Sequence, residues 1–118
     1  MNKKILIVDD EADICNVLKR HFTERGYTVF VSQEGGEALG ILKTERPEVM
    51  IVDIKMPGLN GIEVLELAKQ VKNNIKVITI SAIRDEAIVK ETMALGASAY
   101  ISKPFKLEDL EKKITGKD

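Results

Sequence analysis

The chain has 118 residues, the length of one domain, and 44% of them are hydrophobic, enough for a substantial core. Its 18 basic and 19 acidic residues leave a formal net charge of −1, which argues against direct nucleic-acid or membrane-surface binding. No apolar run has the length of a membrane span or a signal peptide, and the single Cys15 excludes a disulfide framework. We therefore expect one cytoplasmic domain, residues 1–118, with no membrane partner.

The chain begins with a buried strand that ends on acidic residues. The apolar run Ile5–Val8 predicts this strand, and Asp9 and Asp10 follow it directly. Apolar residues spaced four apart then predict a helix that ends at Gly26. In this helix we expect Cys15 to pack in the core rather than to act as a nucleophile.

The next strands differ in polarity, which indicates their places in a sheet. A more polar strand over 27–31 suits an edge, and a helix weakened by glycines follows over about 34–44. The run Val49–Val52 is apolar throughout, so it predicts a central strand buried on both faces. It ends on the carboxylate of Asp53, before a turn at Pro57-Gly58.

The second half of the chain repeats the alternation. Asn60 and Glu63 have capping-box spacing and predict the start of a helix, whose expected buried stripe is Ile62, Leu65 and Ala68. A strand over 77–80 ends at Ser81. Further along, we predict a helix over about 85–95, a strand over 99–101 that leads to Lys103, and a helix over about 106–114.

Five strand–helix repeats predict an α/β fold with one parallel sheet. Right-handed crossovers would place helices on both faces, giving a three-layer α/β/α sandwich. We expect the doubly wound, flavodoxin-like strand order 2-1-3-4-5, in which the first and third strands are neighbours.

This order would bring polar side chains together at the carboxyl edge of the sheet. Three aspartates follow the first and third strands, and they are joined there by a hydroxyl and an ammonium group (Asp9, Asp10, Asp53, Ser81 and Lys103). Carboxylates with no His or Cys select a hard cation, Mg²⁺ first. With a cationic lysine opposite, such a site is suited to transferring a phosphoryl group onto a carboxylate. Helix capping could explain Asp13 and even Asp9 alone, but it explains the whole set poorly.

Residues along almost the whole chain resemble the receiver domain of two-component response regulators. The resemblance extends from Lys4 to Ile114. It depends on segments that together are highly specific, namely Val8-Asp9-Asp10-Glu11, Asp53 with Met56-Pro57-Gly58 and Gly61, Ser81-Ala82, and Gly96-Ala97 through Tyr100 to Lys103-Pro104-Phe105.

The resemblance implies a role for each matched position. Asp53 would be the phosphoacceptor, and Mg²⁺ would be bound by Asp10, Asp53 and the backbone carbonyl of Lys55, with Asp9 acting through water. Lys103, Ser81 and Ala82 would surround the phosphoryl group, and the Lys103–Pro104 peptide bond would be cis.

The resemblance also implies partners and a switch. The phosphodonor would be a histidine kinase or phosphotransfer protein, and the phosphorylated chain would control a downstream output domain or protein partner. Ser81 and Tyr100 would move together and change the surface of the fourth helix, fifth strand and last helix. Excess apolar residues in the fourth helix, Val89 and Met93 in our interpretation, would face outward and favour a partner or a phosphorylation-dependent homodimer.

Three other functions compete with this interpretation. An aspartyl-phosphate phosphohydrolase usually needs a second carboxylate just after its nucleophile, but Lys55 stands there, so we expect only slow self-dephosphorylation and no enzyme in the usual sense. A dinucleotide-binding domain is discarded, because Asp9-Asp10-Glu11 would repel a pyrophosphate. A phosphate-independent interaction module is disfavoured by the presence of Asp10, Asp53 and Lys103.

Overall fold

The computed structural model describes residues 3–55, 60–82 and 85–116. Five strands and five helices alternate along the chain: β1 (Lys4–Val8), α1 (Ala12–Glu24), β2 (Thr28–Ser32), α2 (Gly35–Glu45), β3 (Val49–Asp53), α3 (Gly61–Val71), β4 (Lys76–Ser81), α4 (Glu86–Ala94), β5 (Ala99–Ser102) and α5 (Leu107–Thr115). The expected turn at Pro57-Gly58 and the matched residue Met56 lie outside the described residues.

The strands form one parallel sheet in the order β2-β1-β3-β4-β5. This confirms the predicted fold and strand order. β3 is buried along its whole length, as expected for a central strand, and β2 lies at an edge. Among the described residues, no helix is long and apolar enough to cross a membrane.

Two apolar clusters hold the helices against the sheet. On one face, α2 and α3 pack on alternate residues of β1 and β3, such as Leu6 and Met50. On the other face, α1 and α5 pack on the intervening residues, such as Ile7 and Ile51. The alternation follows from the two-residue period of a strand.

Helix α3 differs in one detail from the predicted pattern. Asn60 caps it as predicted: its side-chain oxygen accepts a hydrogen bond from the Glu63 N–H at 3.0 Å. However, Val64 is buried beside Leu65 and Ala68, whereas Ile62 is only half-buried. The prediction for Ile62 was wrong because the buried residues follow the helical spacing 61, 64, 65 and 68, which leaves position 62 at the side of the packed face.

Candidate functional site

The carboxyl edge of the sheet contains a polar pocket of about 220 Å³. It is lined by Asp10, Glu11, Asp53, Lys55, Ser81, Ala82 and Lys103. The chain therefore brings together most of the site residues that the sequence indicated. Asp9 lies directly beside them, in contact with Lys103.

Asp53 is held at the end of β3 by contacts to both of its carboxylate oxygens. The side chain is 6% exposed. Oδ1 accepts a hydrogen bond from the Lys55 N–H at 3.0 Å, and Oδ2 accepts one from Lys103 Nζ at 2.9 Å. The carboxylate is therefore fixed in orientation while it lies at the edge of an open pocket.

Gly61 explains how α3 can start so close to Asp53. Its N–H donates to the carbonyl of Ile54 at 2.9 Å. A Cβ atom at this position would overlap the backbone carbonyl of Asp53. The absence of a side chain thus allows the helix to support the end of β3 directly.

Asp9 is completely buried. Its Oδ1 accepts a hydrogen bond from the Glu11 N–H at 2.9 Å. Its Oδ2 lies 3.0 Å from Lys103 Nζ, an ion pair whose angles fall short of a hydrogen bond, so this oxygen has no hydrogen-bond partner among the described residues. Burial raises the pKa of Asp9 above its ordinary value, although the Glu11 N–H and Lys103 oppose that change.

Lys103 follows β5 and places its ammonium among three carboxylates. The distances from Nζ are 2.9 Å to Asp53, 2.9 Å to Glu11 and 3.0 Å to Asp9. The side chain is only 10% exposed. Burial alone would lower the pKa of Lys103, but the three carboxylates outweigh it and raise the pKa, so the ammonium stays charged at neutral pH. The peptide bond between Lys103 and Pro104 is cis.

The acidic residues of the pocket fit a small hard cation. One carboxylate oxygen from each of Asp9, Asp10, Glu11 and Asp53 lies within 4.8 Å of the others. All of these donors are oxygens, which suits Mg²⁺. The buried Asp9 Oδ2, which lacks a hydrogen-bond partner among the described residues, would gain compensation from a nearby cation.

The expected switch residues occupy two different positions. Ser81 is buried at the end of β4, where its carbonyl accepts a hydrogen bond from the Lys103 N–H at 2.8 Å. Tyr100 is half-buried in β5 and does not line the pocket. Its neighbours Ala99 and Ile101 pack with α1 and α5, so strand alternation places Tyr100 on the opposite face of the sheet.

Glu11 is the pocket residue to which sequence reasoning gave no role. It occupies the N-cap position of α1, yet its side chain makes no capping hydrogen bond. It contacts Lys103 instead. A glutamate at a position that favours Ser, Thr, Asp or Asn was the available signal.

The fold and the pocket define a phosphoacceptor of the receiver class, and sequence comparison agrees. Residues 5–115 match the response regulator receiver domain family. The chain therefore belongs to the response regulator receiver domains of two-component systems.

Individual relatives support the same family. The chain is 38% identical over 114 residues to sporulation initiation phosphotransferase F of Bacillus subtilis, covering 97% of this chain and 92% of that protein. It is 35% identical to the alkaline phosphatase synthesis transcriptional regulatory protein PhoP of Bacillus subtilis, but covers only 48% of that longer protein. A CheY-like receiver domain from Methanospirillum hungatei has a similar structure, with a TM-score of 0.94, 33% identity, and coverage of 98% of this chain and 93% of that one.

Proposed function

We propose that residues 1–118 act as one cytoplasmic receiver unit in which Asp53 accepts the phosphoryl group. The observation that carries this assignment is the position of its carboxylate, fixed at the edge of the pocket and 2.9 Å from a charged lysine. Among the acidic residues of the pocket, Asp53 alone ends the central strand β3.

The reaction needs one bond made and one broken. A carboxylate oxygen of Asp53 attacks the phosphorus of a phosphohistidine, the P–N bond breaks, and its electron pair stays on the departing imidazole nitrogen. Lys103 balances negative charge on the phosphoryl oxygens, while Ser81 donates a hydrogen bond and the small side chain of Ala82 leaves room. Mg²⁺, bound by Asp10, Asp53 and the Lys55 carbonyl with Asp9 acting through water, would supply charge neutralisation during the transfer.

An apolar groove beside the pocket supports docking of a phosphodonor protein. The groove has a volume of about 530 Å³ and shares Glu11, Ala82 and Lys103 with the pocket. Its apolar lining comes from α1 and from the segment after β5, and Val17 of α1 is 53% exposed. A histidine kinase or phosphotransfer protein that covers this groove would present its phosphohistidine at Asp53.

Rapid phosphate hydrolysis, the main competing function, is disfavoured by the same pocket. A phosphohydrolase of this type uses a second carboxylate just after its nucleophile, and Lys55 occupies that position. We therefore propose that the phosphorylated protein loses its phosphoryl group only slowly and acts on a downstream domain or protein partner.

Replacement of the acceptor tests this function. Wild-type protein treated with acetyl phosphate and Mg²⁺ should gain the mass of one phosphoryl group, whereas Asp53→Asn should gain none, because an amide is not a competent nucleophile. Intact-mass spectrometry over time measures both. Asp13→Asn, an exposed aspartate at the start of α1, is the matched control and should be phosphorylated like the wild type. Phosphorylation of Asp53→Asn at the wild-type rate would contradict the assignment.

A further inference from the structure

Glu11 differs from the other two carboxylates that contact Lys103. Its side chain is 58% exposed, whereas those of Asp9 and Asp53 are 0% and 6% exposed. Its backbone is fixed at the start of α1: the Glu11 N–H donates a hydrogen bond to Asp9 Oδ1, and the Glu11 carbonyl accepts one from the Cys15 N–H. The Glu11 carboxylate can therefore move away from Lys103 while the backbone of Glu11 keeps its hydrogen bonds at the start of α1.

Lys103 is already engaged with three carboxylates. Of its three N–H bonds, one is donated to Asp53 and one to Glu11, each at 2.9 Å, while the Asp9 carboxylate pairs with the ammonium charge at 3.0 Å. A phosphoryl group on Asp53 can take over the hydrogen bond that Lys103 now donates to the Asp53 carboxylate, and its further oxygens compete with Asp9 and Glu11 for the same ammonium. Loss of the Asp9 contact would leave a buried charge without its counterion, which is costly. Loss of the Glu11 contact costs far less, because the exposed carboxylate is solvated by water.

We infer that Glu11 determines which phosphodonors the pocket accepts, by competing with the incoming phosphoryl group for Lys103. The inference rests on the proposed phosphorylation of Asp53. In the resting pocket, Glu11 occupies a lysine donor and adds negative charge at the entrance. Small anionic phosphodonors such as acetyl phosphate meet this charge directly and react slowly. A donor protein that docks on the adjacent groove, which Glu11 also lines, can draw the glutamate away from Lys103.

The effect of Glu11→Gln on small phosphodonors tests the inference. With acetyl phosphate, a dianion, Asp53 attacks phosphorus and acetate departs. We expect the rate constant to rise by about 3- to 30-fold at low ionic strength and to approach the wild-type value at high salt. With phosphoramidate, which carries one fewer net negative charge, the increase should be smaller. Intact-mass time courses with Mg²⁺ in excess give the rate constants of both proteins with each donor at low and at high salt.

Two controls accompany this test, one for metal binding and one for the loss of a surface charge. Glu11→Gln should keep its Mg²⁺ affinity within a few-fold of the wild type, as followed by an amide NMR titration. Glu66→Gln removes an exposed glutamate of α3 that does not line the pocket, so it should react like the wild type with both donors.

Three outcomes would overturn the inference. The first is a Glu11→Gln rate equal to or below that of the wild type. The second is a rate increase of the same size for both donors and at both salt concentrations. The third is a loss of Mg²⁺ affinity of tenfold or more, which would make Glu11 a metal ligand. Failure of the wild type itself to be phosphorylated would instead refute the proposed function, so the two failures are distinguishable.

Discussion

At the scale of single residues, Lys103 has an unusual position, because it lies where a metal ion would also be attracted. Its ammonium contacts Asp9 and Asp53, two of the carboxylates in the acidic cluster. The lysine therefore compensates these buried charges when no cation is bound, and it opposes a cation that approaches them. Removal of the lysine and removal of a metal ligand should consequently have opposite effects on the affinity for Mg²⁺.

Substitutions at Lys103 and Asp10 should change Mg²⁺ affinity in opposite directions. Lys103→Ala removes a positive charge near the carboxylates, so we expect tighter binding, by about 1–2 kcal/mol at most. Asp10→Ala removes one of the few protein ligands and should weaken binding markedly. Amide NMR titration with MgCl₂ measures both affinities. Lys76→Ala is the control, because Lys76 donates a hydrogen bond to the Ile114 carbonyl at 2.9 Å and does not line the pocket, so its loss should leave Mg²⁺ affinity unchanged. A large loss of affinity in Lys103→Ala would show that the lysine has a structural role at the metal site.

The site was predictable from sequence as a set of residues but not as a set of contacts. Strand ends in a parallel sheet share one edge, so the order of the strands was enough to group Asp10, Asp53 and Lys103. The three-way contact of Lys103 depends on side-chain conformations across the pocket, which no periodicity encodes. The sequence could mark Glu11 only as an unusual N-cap residue, and its contact with Lys103 at 2.9 Å is seen in the structure.

At the scale of secondary-structure elements, strands were easier to predict than the faces of helices. The apolar runs of β1 and β3 have one explanation, burial on both faces, and the structure confirms it. In α3, the apolar residues Ile62 and Val64 are two positions apart and point to nearly opposite sides of the helix, so they cannot both face the sheet together with Leu65. The buried face of α3 consists of Gly61, Val64, Leu65 and Ala68, and the hydrogen bond from the Gly61 N–H to the Ile54 carbonyl holds the first turn of this helix close to the end of β3.

The contact at Gly61 can be tested by a pair of glycine substitutions. Gly61→Ala places a methyl group against the Asp53 carbonyl, so we expect about 1–3 kcal/mol lower stability from overpacking. The shifted end of β3 should also slow phosphorylation of Asp53.

Gly40→Ala is the matched control for that substitution. It lies within α2, and a Cβ there meets nothing within 4 Å. It should raise stability by up to about 1 kcal/mol through helix propensity. Urea unfolding monitored by circular dichroism gives both values. Equal stability of Gly61→Ala and the wild type would show that the start of α3 can move without cost.

At the scale of the whole molecule, the packing is uneven across the sheet. β3 is buried throughout, whereas every residue of β5 is partly exposed. Within α4, only Thr92 is buried, Val89 is half-buried, and Met93 is 44% exposed. Outward exposure was thus predicted correctly for Met93 but only partly for Val89. Elements with few buried contacts shift at low free-energy cost, so we expect α4 and β5 to move more easily than the buried strand β3 when Asp53 is phosphorylated.

We therefore expect phosphorylation to change the α4–β5–α5 surface far more than the opposite edge of the sheet. A phosphoryl group adds about −1.5 to −2 charges at Asp53, and movement of Ser81 toward it would leave space for Tyr100 to turn inward. The shift in populations would expose a different surface to a downstream partner or to a second copy of the chain. Amide NMR with and without beryllofluoride and Mg²⁺ should show shifts across residues 85–110 as well as at the pocket, with little change in β2. Asp53→Asn with the same additions is the control and should show no beryllofluoride-dependent shifts. If the wild-type shifts are confined to the pocket while α4 and β5 stay unchanged, the signal leaves the domain by another route.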